Sequence, residues 1–334
     1  MATHNILILT RDPLISFRQL PGGRDTSIDG RYRFFINGGI SSPDFVAVVG
    51  KGFREPVTLN MARQNTILLT NEPYDILGYP KGYTRQFGVV CACQPQLRGS
   101  NVRYTPAQLP WFVGASFNGL NATQVNMTYD DIAQATPRKT KLISVITSNK
   151  AVTAGHLRRM RFVEKLKEHY QDQIDVYGRG FRSFEDKWSV LAPYRFHIAI
   201  ENSSTPYYWT EKLSDCFLAG CYPIYYGCTN AADYFPQGAF APIDISRPEE
   251  CFARIDSLIA ADADINNRQQ LQQSKQLVLN KYNIFMQITA VCDTLKADAD
   301  RQDITLTPAR SHLSLHNLYL HTVGRNYYKL LSHL

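Results

Sequence analysis

Short apolar runs recur along the sequence, and their alternation with helical segments limits the folds that the chain can adopt. In the second half, strand, helix and strand follow one another twice, which requires crossover connections and therefore a parallel sheet. Two such units in tandem predict an α/β fold of two Rossmann-like domains that face a cleft. The predicted strands are 6–9, 45–49, 66–69, 87–90, 142–147, 174–177, 196–200 and 222–226, and the predicted helices are 156–169 and 211–219.

The chain turns polar and basic near residues 135–140, which marks a domain boundary. We predict domains at 1–137 and 138–307, and a tail at 308–334. The tail holds three Lys or Arg, four His and no acid, and its apolar residues 313, 320, 327 and 334 are seven apart. This pattern predicts an amphipathic helix, interrupted at Gly324. Such a helix either packs on the protein or on a partner subunit, or makes a peripheral membrane contact through its basic face.

Positive charge is concentrated in one stretch of the sequence. Lys and Arg exceed Asp and Glu by seven in the whole chain, while residues 138–165 alone hold eight Lys or Arg and a single acid. A nucleic-acid-binding protein would usually spread its charge over a long face with aromatic side chains in between. The localised charge therefore favours a local anion site over nucleic-acid binding, with a solvated helix face as the plain alternative.

The apolar runs and the cysteines indicate the cellular compartment of the protein. No run approaches the roughly 18 apolar residues of a membrane span, and the first apolar run is too short for a secretory signal. The seven cysteines are an odd number with no C-x-x-C pair, and several lie in apolar stretches. We therefore expect reduced cysteines and a cytoplasmic protein, peripheral at the inner face of the membrane if the tail binds lipid.

Residues 194–213 carry the most informative motif, Tyr-Arg-Phe-His-Ile-Ala-Ile-Glu-Asn-Ser-Ser-Thr-Pro-Tyr-Tyr-Trp-Thr-Glu-Lys-Leu. A buried strand leads into a polar loop, and a helix begins near Thr210. In open α/β sheets, ligands bind at the carboxyl ends of strands, where helix N-termini offer free N–H groups to anions. Lys212 in the first turn opposes the helix dipole at a cost of about 1 kcal/mol or less. We therefore expect a ligand phosphate to supply the missing negative charge, and Glu211 to accept hydrogen bonds from sugar hydroxyls.

This motif resembles the signature of the α-1,3-fucosyltransferases, glycosyltransferase family ten, and the bacterial members in particular. The matching pattern is F-x-x-A-x-E-N-S, a short loop, and then Y-x-T-E-K-L. Three further segments resemble family elements in the family's order: Ser148-Asn149 with Arg159-Met-Arg-Phe, residues 174–180 (Ile-Asp-Val-Tyr-Gly-Arg-Gly) and residues 217–227 (Phe-Leu-Ala-Gly-Cys-Tyr-Pro-Ile-Tyr-Tyr-Gly). The resemblance covers roughly residues 142–245.

The resemblance implies a GT-B fold whose second domain binds the nucleotide sugar and whose first domain binds the acceptor. It implies inverting transfer of L-fucose from GDP-fucose to a hydroxyl of an oligosaccharide or lipid-linked glycan, with α-1,3 or α-1,4 linkage on a glycan that contains N-acetylglucosamine. Carried over residue by residue, Arg159 and Lys212 hold the diphosphate, and Glu211 contacts the ribose or the charge that develops on the sugar. The other donor-site residues implied are Asn149, Tyr177, Asn202 and Tyr208.

Inverting transfer also needs a general base that removes the proton of the acceptor hydroxyl. The candidate is Glu72, which follows the strand at 66–69 and precedes a proline turn, and which resembles a short strand–loop–Glu element of bacterial relatives. Asp75, Glu55 and Asp44 compete with it. The plain alternative is that Glu72 is an exposed loop acid without a catalytic role.

Metal motifs are present but poorly placed. The D-x-D sequences at 262–264 and 298–300 lie in polar, helical stretches, so we expect solvated faces there. His312 and His316 lack a third ligand. We expect no metal requirement, because Arg159 and Lys212 can balance the negative charge of a leaving diphosphate. Stimulation by a divalent cation would be compatible with this site. Two rival functions keep the same fold: transfer from another nucleotide sugar, and a catalytically silent glycan- or nucleotide-binding protein.

Overall fold

The computed structural model describes residues 4–118, 121–149 and 153–312. In chain order the strands are β1 (His4–Leu9), β2 (Tyr32–Ile36), β3 (Phe45–Val49), β4 (Val57–Met61), β5 (Thr66–Leu69), β6 (Val89–Ala92), β7 (Val102–Tyr104), β8 (Ala115–Asn118), β9 (Asn121–Val125), β10 (Lys141–Ile146), β11 (Asp175–Tyr177), β12 (Tyr194–Ile200), β13 (Tyr222–Tyr226), β14 (Ala241–Pro242) and β15 (Gln302–Leu306). The α-helices are α1 (Lys81–Thr84), α2 (Tyr129–Gln134), α3 (Ala154–Tyr170), α4 (Glu211–Leu218), α5 (Pro248–Ala260), α6 (Ala263–Asn266), α7 (Arg268–Asn280) and α8 (Ile284–Cys292).

The first sheet has the strand order β2-β1-β3-β5-β6-β7, and every pair in it is parallel. Parallel sheets are covered on both faces, so their central strands are apolar throughout. Strand β3, Phe-Val-Ala-Val-Val, is buried at all its positions. Its alternate side chains enter two separate hydrophobic clusters, one on each face of the sheet.

The second sheet has the order β11-β10-β12-β13-β14, again with parallel pairing. Helices α3 and α4 contribute buried side chains to its core, among them Phe162 and Leu166 from α3 and Leu213 and Phe217 from α4. The predicted α/β fold with two Rossmann-like sheets is therefore confirmed. The strand predicted at 87–90 runs two residues later. The strands that the sequence analysis does not predict are β2, β4, β7, β8, β9, β14 and β15.

The chain departs from the predicted domain boundaries because it crosses between the two sheets more than once. Residue 137 lies between the sheets, but Trp111 and Val113 already pack in the core of the second sheet. Helix α8, placed in the second domain by the sequence, packs on the first sheet, where Phe285 is fully buried with its ring 4.9 Å from that of Phe34. Strand β15 pairs with β4. This packing differs from one continuous domain over 138–307, because the apolar face of α8 lies against the first sheet.

Arg18 fastens the crossing segment to the first domain. Its guanidinium is buried and donates to the carbonyl oxygens of Trp111, Val113 and Met127. Near the second crossing, the side-chain amide of Asn283 donates to the carbonyl of Gln19. A buried cation is tolerated only where acceptors satisfy its hydrogen-bonding groups. The bonds from Arg18 to these carbonyls therefore fix the path of the crossing chain.

Three further predictions have an outcome here. Asp262 and Asp264 were expected on a solvated face, and both accept hydrogen bonds from Arg195 at 2.6 Å. The Asp262 side chain is 56% exposed, as expected, whereas that of Asp264 is only 10% exposed. All seven cysteines are buried and unpaired. In the part of the chain that the structure describes, no helix has the length and apolar character needed to span a bilayer. The amphipathic helix predicted for the tail falls at 313–334, outside the described residues.

Truncation of Phe285 tests the placement of α8. We expect Phe285→Ala to lower the free energy of unfolding by about 3–5 kcal/mol, because it leaves a cavity between the helix and the first sheet. Urea unfolding followed by circular dichroism measures the change. Met286→Ala, on the half-buried side of the same helix, is the control and should cost clearly less. Equal, small losses in both variants would contradict this packing.

Candidate functional site

A cavity of about 550 Å³ lies at the carboxyl ends of the strands of the second sheet. It is lined by residues from the end of β10, the loop after β11, the first half of α3, the end of β12 and the first turn of α4. This is the edge of an open parallel sheet at which ligands generally bind.

Two glycines allow the walls of this cavity to approach closely. A Cβ atom on Gly155, in the first turn of α3, would lie 1.9 Å from the carbonyl oxygen of Asn202. A Cβ atom on Gly178, after β11, would lie 1.8 Å from the carbonyl oxygen of Thr147, and Gly178 has a φ of +116°. Neither position accepts a larger residue without moving backbone, so both glycines hold the shape of the site.

Thr210 and Glu201 fix the start of α4. The Thr210 hydroxyl accepts from the backbone N–H of Lys212, as an N-cap does. The backbone N–H of Thr210 donates to the Glu201 carboxylate at 2.8 Å, and its hydroxyl does so at 2.8–2.9 Å. Glu201 is fully buried, and burial raises its pKa while Lys212 acts in the opposite direction. The strand-end glutamate thus holds the N-cap of α4 in place.

Lys212 is paired within the protein, contrary to the expectation that only a ligand would balance its charge. Its ammonium nitrogen lies 3.1 Å from a carboxylate oxygen of Glu211 and 3.5 Å from one of Glu201. Burial disfavours the charge, but these two carboxylates raise the pKa of Lys212 above its usual range. Lys212 therefore stays protonated, and with 24% of its side chain exposed it still reaches the cavity.

Lys187 and Asp215 extend the group of charges, so that Glu201, Glu211, Lys212, Lys187 and Asp215 form the α4 ion cluster. Lys187 lies 3.0 Å from Asp215 and 3.6 Å from Glu211. Burial alone would raise the pKa of Glu211, but Lys212 and Lys187 lower it to about 2. For Asp215 burial prevails and raises the pKa, although Lys187 opposes the shift. Glu211 is thus a firmly ionised acceptor at the wall of the cavity.

Arg159 brings a second cation to the cavity from α3. Its guanidinium is buried, donates to Asn202 Oδ1, and donates to Ser148 Oγ at 3.1 Å. Its Nε has no hydrogen-bond partner among the described residues. Asn202 and Ser148 therefore aim the planar guanidinium, whose geometry suits the oxygens of a phosphate.

Four of the residues predicted for the donor site line the cavity together: Arg159, Asn202, Glu211 and Lys212. The other three lie outside its lining. Asn149 lies against Gly180, which does line it. The Tyr177 hydroxyl shares a hydrogen bond with the Tyr194 hydroxyl at 2.7 Å in a separate cluster, and Tyr208 is buried against Cys93 and Ala107 of the first half of the chain.

His197 and Lys187 line the cavity although sequence reasoning missed both. His197 Nδ1 is 2.8 Å from Ser144 Oγ, and burial together with the nearby Lys187 charge lowers the pKa of His197 to about 3. The neutral imidazole offers a hydrogen-bonding group to an uncharged part of a ligand. A histidine in the apolar strand 196–200 was a usable signal for it, whereas Lys187 lies in a loop with no motif.

Glu72 lies at the carboxyl edge of the first sheet, after β5, and is not part of the lining of this cavity. The side chain of Gln94 is buried, and its amide donates to the carbonyl of Glu72 and to that of Leu77, both at 2.7 Å. The same turn is linked to the second domain, since Tyr208 packs on Cys93, which precedes Gln94. Glu72 itself is half-buried.

Two of the competing acids, Glu55 and Asp44, are placed less well for contact with an acceptor. Glu55 pairs with Arg310 at 2.7 Å, and Asp44 pairs with Arg301 at 3.1 Å. Asp44 precedes β3 and so lies at the opposite edge of the sheet, while Asp75 is exposed in the same turn as Glu72. Glu72 remains the predicted base. Within residues 4–118, 121–149 and 153–312, no three His, Cys, Asp or Glu side chains are arranged to hold a metal ion.

The low pKa of Glu211 predicts how the stability of the fold depends on pH. Its folded-state value, about 2, lies below the ordinary value of 4.5. Ionised Glu211 therefore stabilises the fold above pH 4.5, and this contribution is lost as the pH falls towards 2. We expect Glu211→Gln to be less stable than the wild type by roughly 2–3 kcal/mol at pH 7, with the gap closing below pH 4.5.

Urea unfolding of both proteins at several pH values measures this gap. The matched control is Glu164→Gln, which removes an exposed carboxylate from α3 and should cost less than about 0.5 kcal/mol at pH 7. A gap between the wild type and Glu211→Gln that is as large at pH 3 as at pH 7 would argue against an ionised Glu211.

Comparison with known proteins identifies the family. The sequence model for glycosyltransferase family 10 (fucosyltransferase), C-terminal part, matches residues 136–307, just over half of the chain. Among curated proteins, mouse alpha-(1,3)-fucosyltransferase 4 is 33% identical over 114 residues, which cover 32% of this chain and 25% of that protein. Human 4-galactosyl-N-acetylglucosaminide 3-alpha-L-fucosyltransferase FUT6 is 31% identical over 121 residues, which cover 35% and 32%. The matched segments thus span about a quarter to a third of these relatives.

A solved structure, an alpha1,3-fucosyltransferase with GDP-fucose, superimposes with a TM-score of 0.50 and 15% identity, covering 90% of this chain and 91% of that one. At this identity the likeness shows the fold alone, which is the expected GT-B fold. The family match spans α3, the α4 ion cluster and the strands between them, the same segments that build the cavity. The chain belongs to glycosyltransferase family 10, the fucosyltransferases.

Proposed function

We propose that this protein transfers L-fucose from GDP-fucose to a hydroxyl group of an oligosaccharide or lipid-linked glycan, with inversion at the anomeric carbon. The observation that carries the proposal is that Arg159 and Lys212 reach one cavity at the N-terminus of α4. The family supports the choice of sugar, since the relatives above are named as fucosyltransferases and the superimposed structure contains GDP-fucose.

Arg159 and Lys212 assist the departure of GDP as the leaving group. As the bond between fucose and the diphosphate breaks, negative charge grows on the phosphate oxygens. Arg159 and Lys212 stabilise that charge from fixed positions, and the positive end of the α4 dipole acts in the same direction. Glu211, ionised beside them, accepts hydrogen bonds from the ribose or from the sugar. A metal ion is not required for this step, so we expect activity to persist in EDTA.

The first domain serves the acceptor. Glu72 removes the proton of the attacking hydroxyl as the oxygen reaches the anomeric carbon on the face opposite the diphosphate. A single displacement of this kind inverts the configuration. The α-1,3 or α-1,4 linkage to N-acetylglucosamine is part of the proposal. The names of both relatives support α-1,3 transfer, and one of them names an N-acetylglucosaminide.

A donor panel separates this function from its nearest rival. The phosphate and ribose contacts described above fit any nucleoside diphosphate sugar, whereas the family supports fucose in particular. We therefore expect turnover with GDP-fucose and not with UDP-sugars. Turnover with UDP-sugars alone would overturn the donor assignment.

Removing Arg159 should weaken the binding of the donor nucleotide. We expect Arg159→Ala to reduce the affinity for GDP by roughly 1.5–3 kcal/mol, the scale of a hydrogen bond to a charged group. Titration calorimetry with GDP measures it, and guanosine, which lacks phosphates, should bind both proteins alike. Arg158→Ala is the matched control because it removes an exposed arginine from the same helix. Unchanged GDP affinity in Arg159→Ala would place the phosphates elsewhere.

Replacing Glu72 should slow transfer without disturbing the donor. Glu72→Gln keeps the size of the side chain and the backbone bond to Gln94, but it cannot take the proton. We expect transfer to fall by at least about 10²-fold while GDP affinity stays the same. Asp75→Asn, which alters the exposed carboxylate three residues after Glu72, is the control and should keep near-normal transfer. The reverse result would assign the base to Asp75.

A further inference from the structure

We propose that the stacked rings of Tyr104 and Tyr207 are a positioning pair, which holds the turn of Glu72 in the first domain in register with the donor site of the second. The role of this Tyr104–Tyr207 stack is to place other groups and not to touch the reacting atoms. The inference rests on the proposed function and adds the residues that govern how the two halves of the site meet.

The two rings come from different domains. Tyr104 is the last residue of β7, at the carboxyl edge of the first sheet, and Tyr207 lies in the loop between β12 and α4. Their ring centroids are 5.2 Å apart, and the ring planes differ by 10°. The backbone N–H of Ala107, three residues after Tyr104, donates to the carbonyl of Tyr207 at 3.1 Å. A stack and a hydrogen bond thus join the same two segments across the domains.

Tyr207 has a strained backbone. Its φ is +67°, and the three other non-glycine residues with a positive φ in the described part of the chain are Asn, Gln and Asp. A bulky side chain rarely adopts this conformation, which persists only where surrounding contacts hold it. Here the contacts are the Tyr104 ring, the bond from Ala107, and a bond from the Tyr207 N–H to Asn230 Oδ1 at 2.8 Å. Strain of this kind is concentrated at functional sites.

A continuous series of hydrogen bonds connects Tyr104 to the turn of Glu72. The Tyr104 hydroxyl donates to the carbonyl of Leu97 at 3.0 Å, and the N–H of Leu97 donates to the carbonyl of Gln94 at 3.1 Å. The side-chain amide of Gln94 donates in turn to the carbonyl of Glu72 at 2.7 Å. Because one short segment holds both the Tyr104 ring and the Glu72 backbone, a shift of that ring relative to Tyr207 also shifts Glu72 relative to the donor site.

Tyr208 makes the matching connection from the second domain. It follows Tyr207, is fully buried, and packs against Cys93 of the first domain. Burial raises the pKa of Tyr208, and the carboxylates of Glu201 and Glu72 act in the same direction. One of these carboxylates follows β12 and holds the start of α4, while the other follows β5. The Tyr104–Tyr207 stack therefore stands next to a buried residue that senses charges from both domains.

The test compares transfer with the slow hydrolysis of GDP-fucose by water in the full-length protein. Transfer needs the first domain in place, whereas hydrolysis needs the donor site alone. We expect Tyr104→Ala to lower kcat for transfer to N-acetyllactosamine by about three- to tenfold, while GDP affinity and hydrolysis stay within about twofold of the wild type. Tyr104→Phe keeps the stacking ring and should lose about twofold at most. Ile28→Ala, which removes an exposed apolar residue from the first domain, is the matched control and should leave transfer unchanged.

Tyr207→Gly separates positioning from folding. Glycine adopts a φ of +67° without strain, so this variant should fold and bind GDP as the wild type does. It lacks the ring, and we expect kcat for transfer to fall as in Tyr104→Ala. The double variant should fall no further, because each single change already removes the whole stack. Wild-type transfer in Tyr207→Gly, or losses that add up in the double variant, would overturn the inference.

Hydrogen exchange at the amide of Ala107 gives a readout that does not depend on turnover. This amide is bonded to the Tyr207 carbonyl across the domains, so its exchange reports how firmly they are joined. We expect exchange at least about fivefold faster in Tyr104→Ala and unchanged in Ile28→Ala. Unchanged exchange in Tyr104→Ala would overturn the inference. Absence of GDP binding and of GDP-fucose turnover in the wild type would instead count against the proposed function, and the exchange result would still decide whether the stack joins the domains.

Discussion

The α4 ion cluster is the interaction on which the rest of the site depends. Three buried carboxylates meet here: Glu201 follows β12, and Glu211 and Asp215 lie one turn apart on α4. Burying these charges without nearby cations would cost a large amount of folding free energy. Lys187 and Lys212 supply that compensation. Because these pairs hold the end of β12, the start of α4 and the segment of Lys187 in place, Glu211 and Lys212 stand at the cavity wall before any ligand arrives. Such a preorganised arrangement favours transition-state stabilisation.

The elements that could be predicted from the sequence are those whose signals are local. The strands at 45–49 and 66–69 were found within their observed bounds because they are continuously apolar, as strands covered on both faces must be. Helix α4 was found because Thr210 caps it and Gly220 follows it. Helix α8 was assigned to the wrong domain because nothing in its own residues says which sheet its apolar face will meet. Its position depends on Phe34 and other residues about 250 positions away.

The difference between local and long-range signals also explains which of the predicted donor-site residues line the cavity. Arg159, Asn202, Glu211 and Lys212 share one cavity because they sit at strand ends and helix starts, positions that topology brings to one edge of the sheet. The directions of Tyr177 and Tyr208 depend on how neighbouring elements pack, and the motif held no information about that. Sequence reasoning missed Lys187 for a related reason. Its role depends on ion pairs with Asp215 and Glu211, which are remote in sequence.

The return of α8 and β15 to the first sheet has a consequence for protein engineering. The segment matched by the family is not an autonomous folding unit, since its last part completes the hydrophobic core of the other domain. Chimeras that exchange acceptor domains between relatives should therefore be joined at both crossings, near residues 110 and 283, so that α8 travels with the sheet it covers. A single junction at residue 137 would pair α8 with a foreign sheet, so that Phe285 would lose its contact with Phe34.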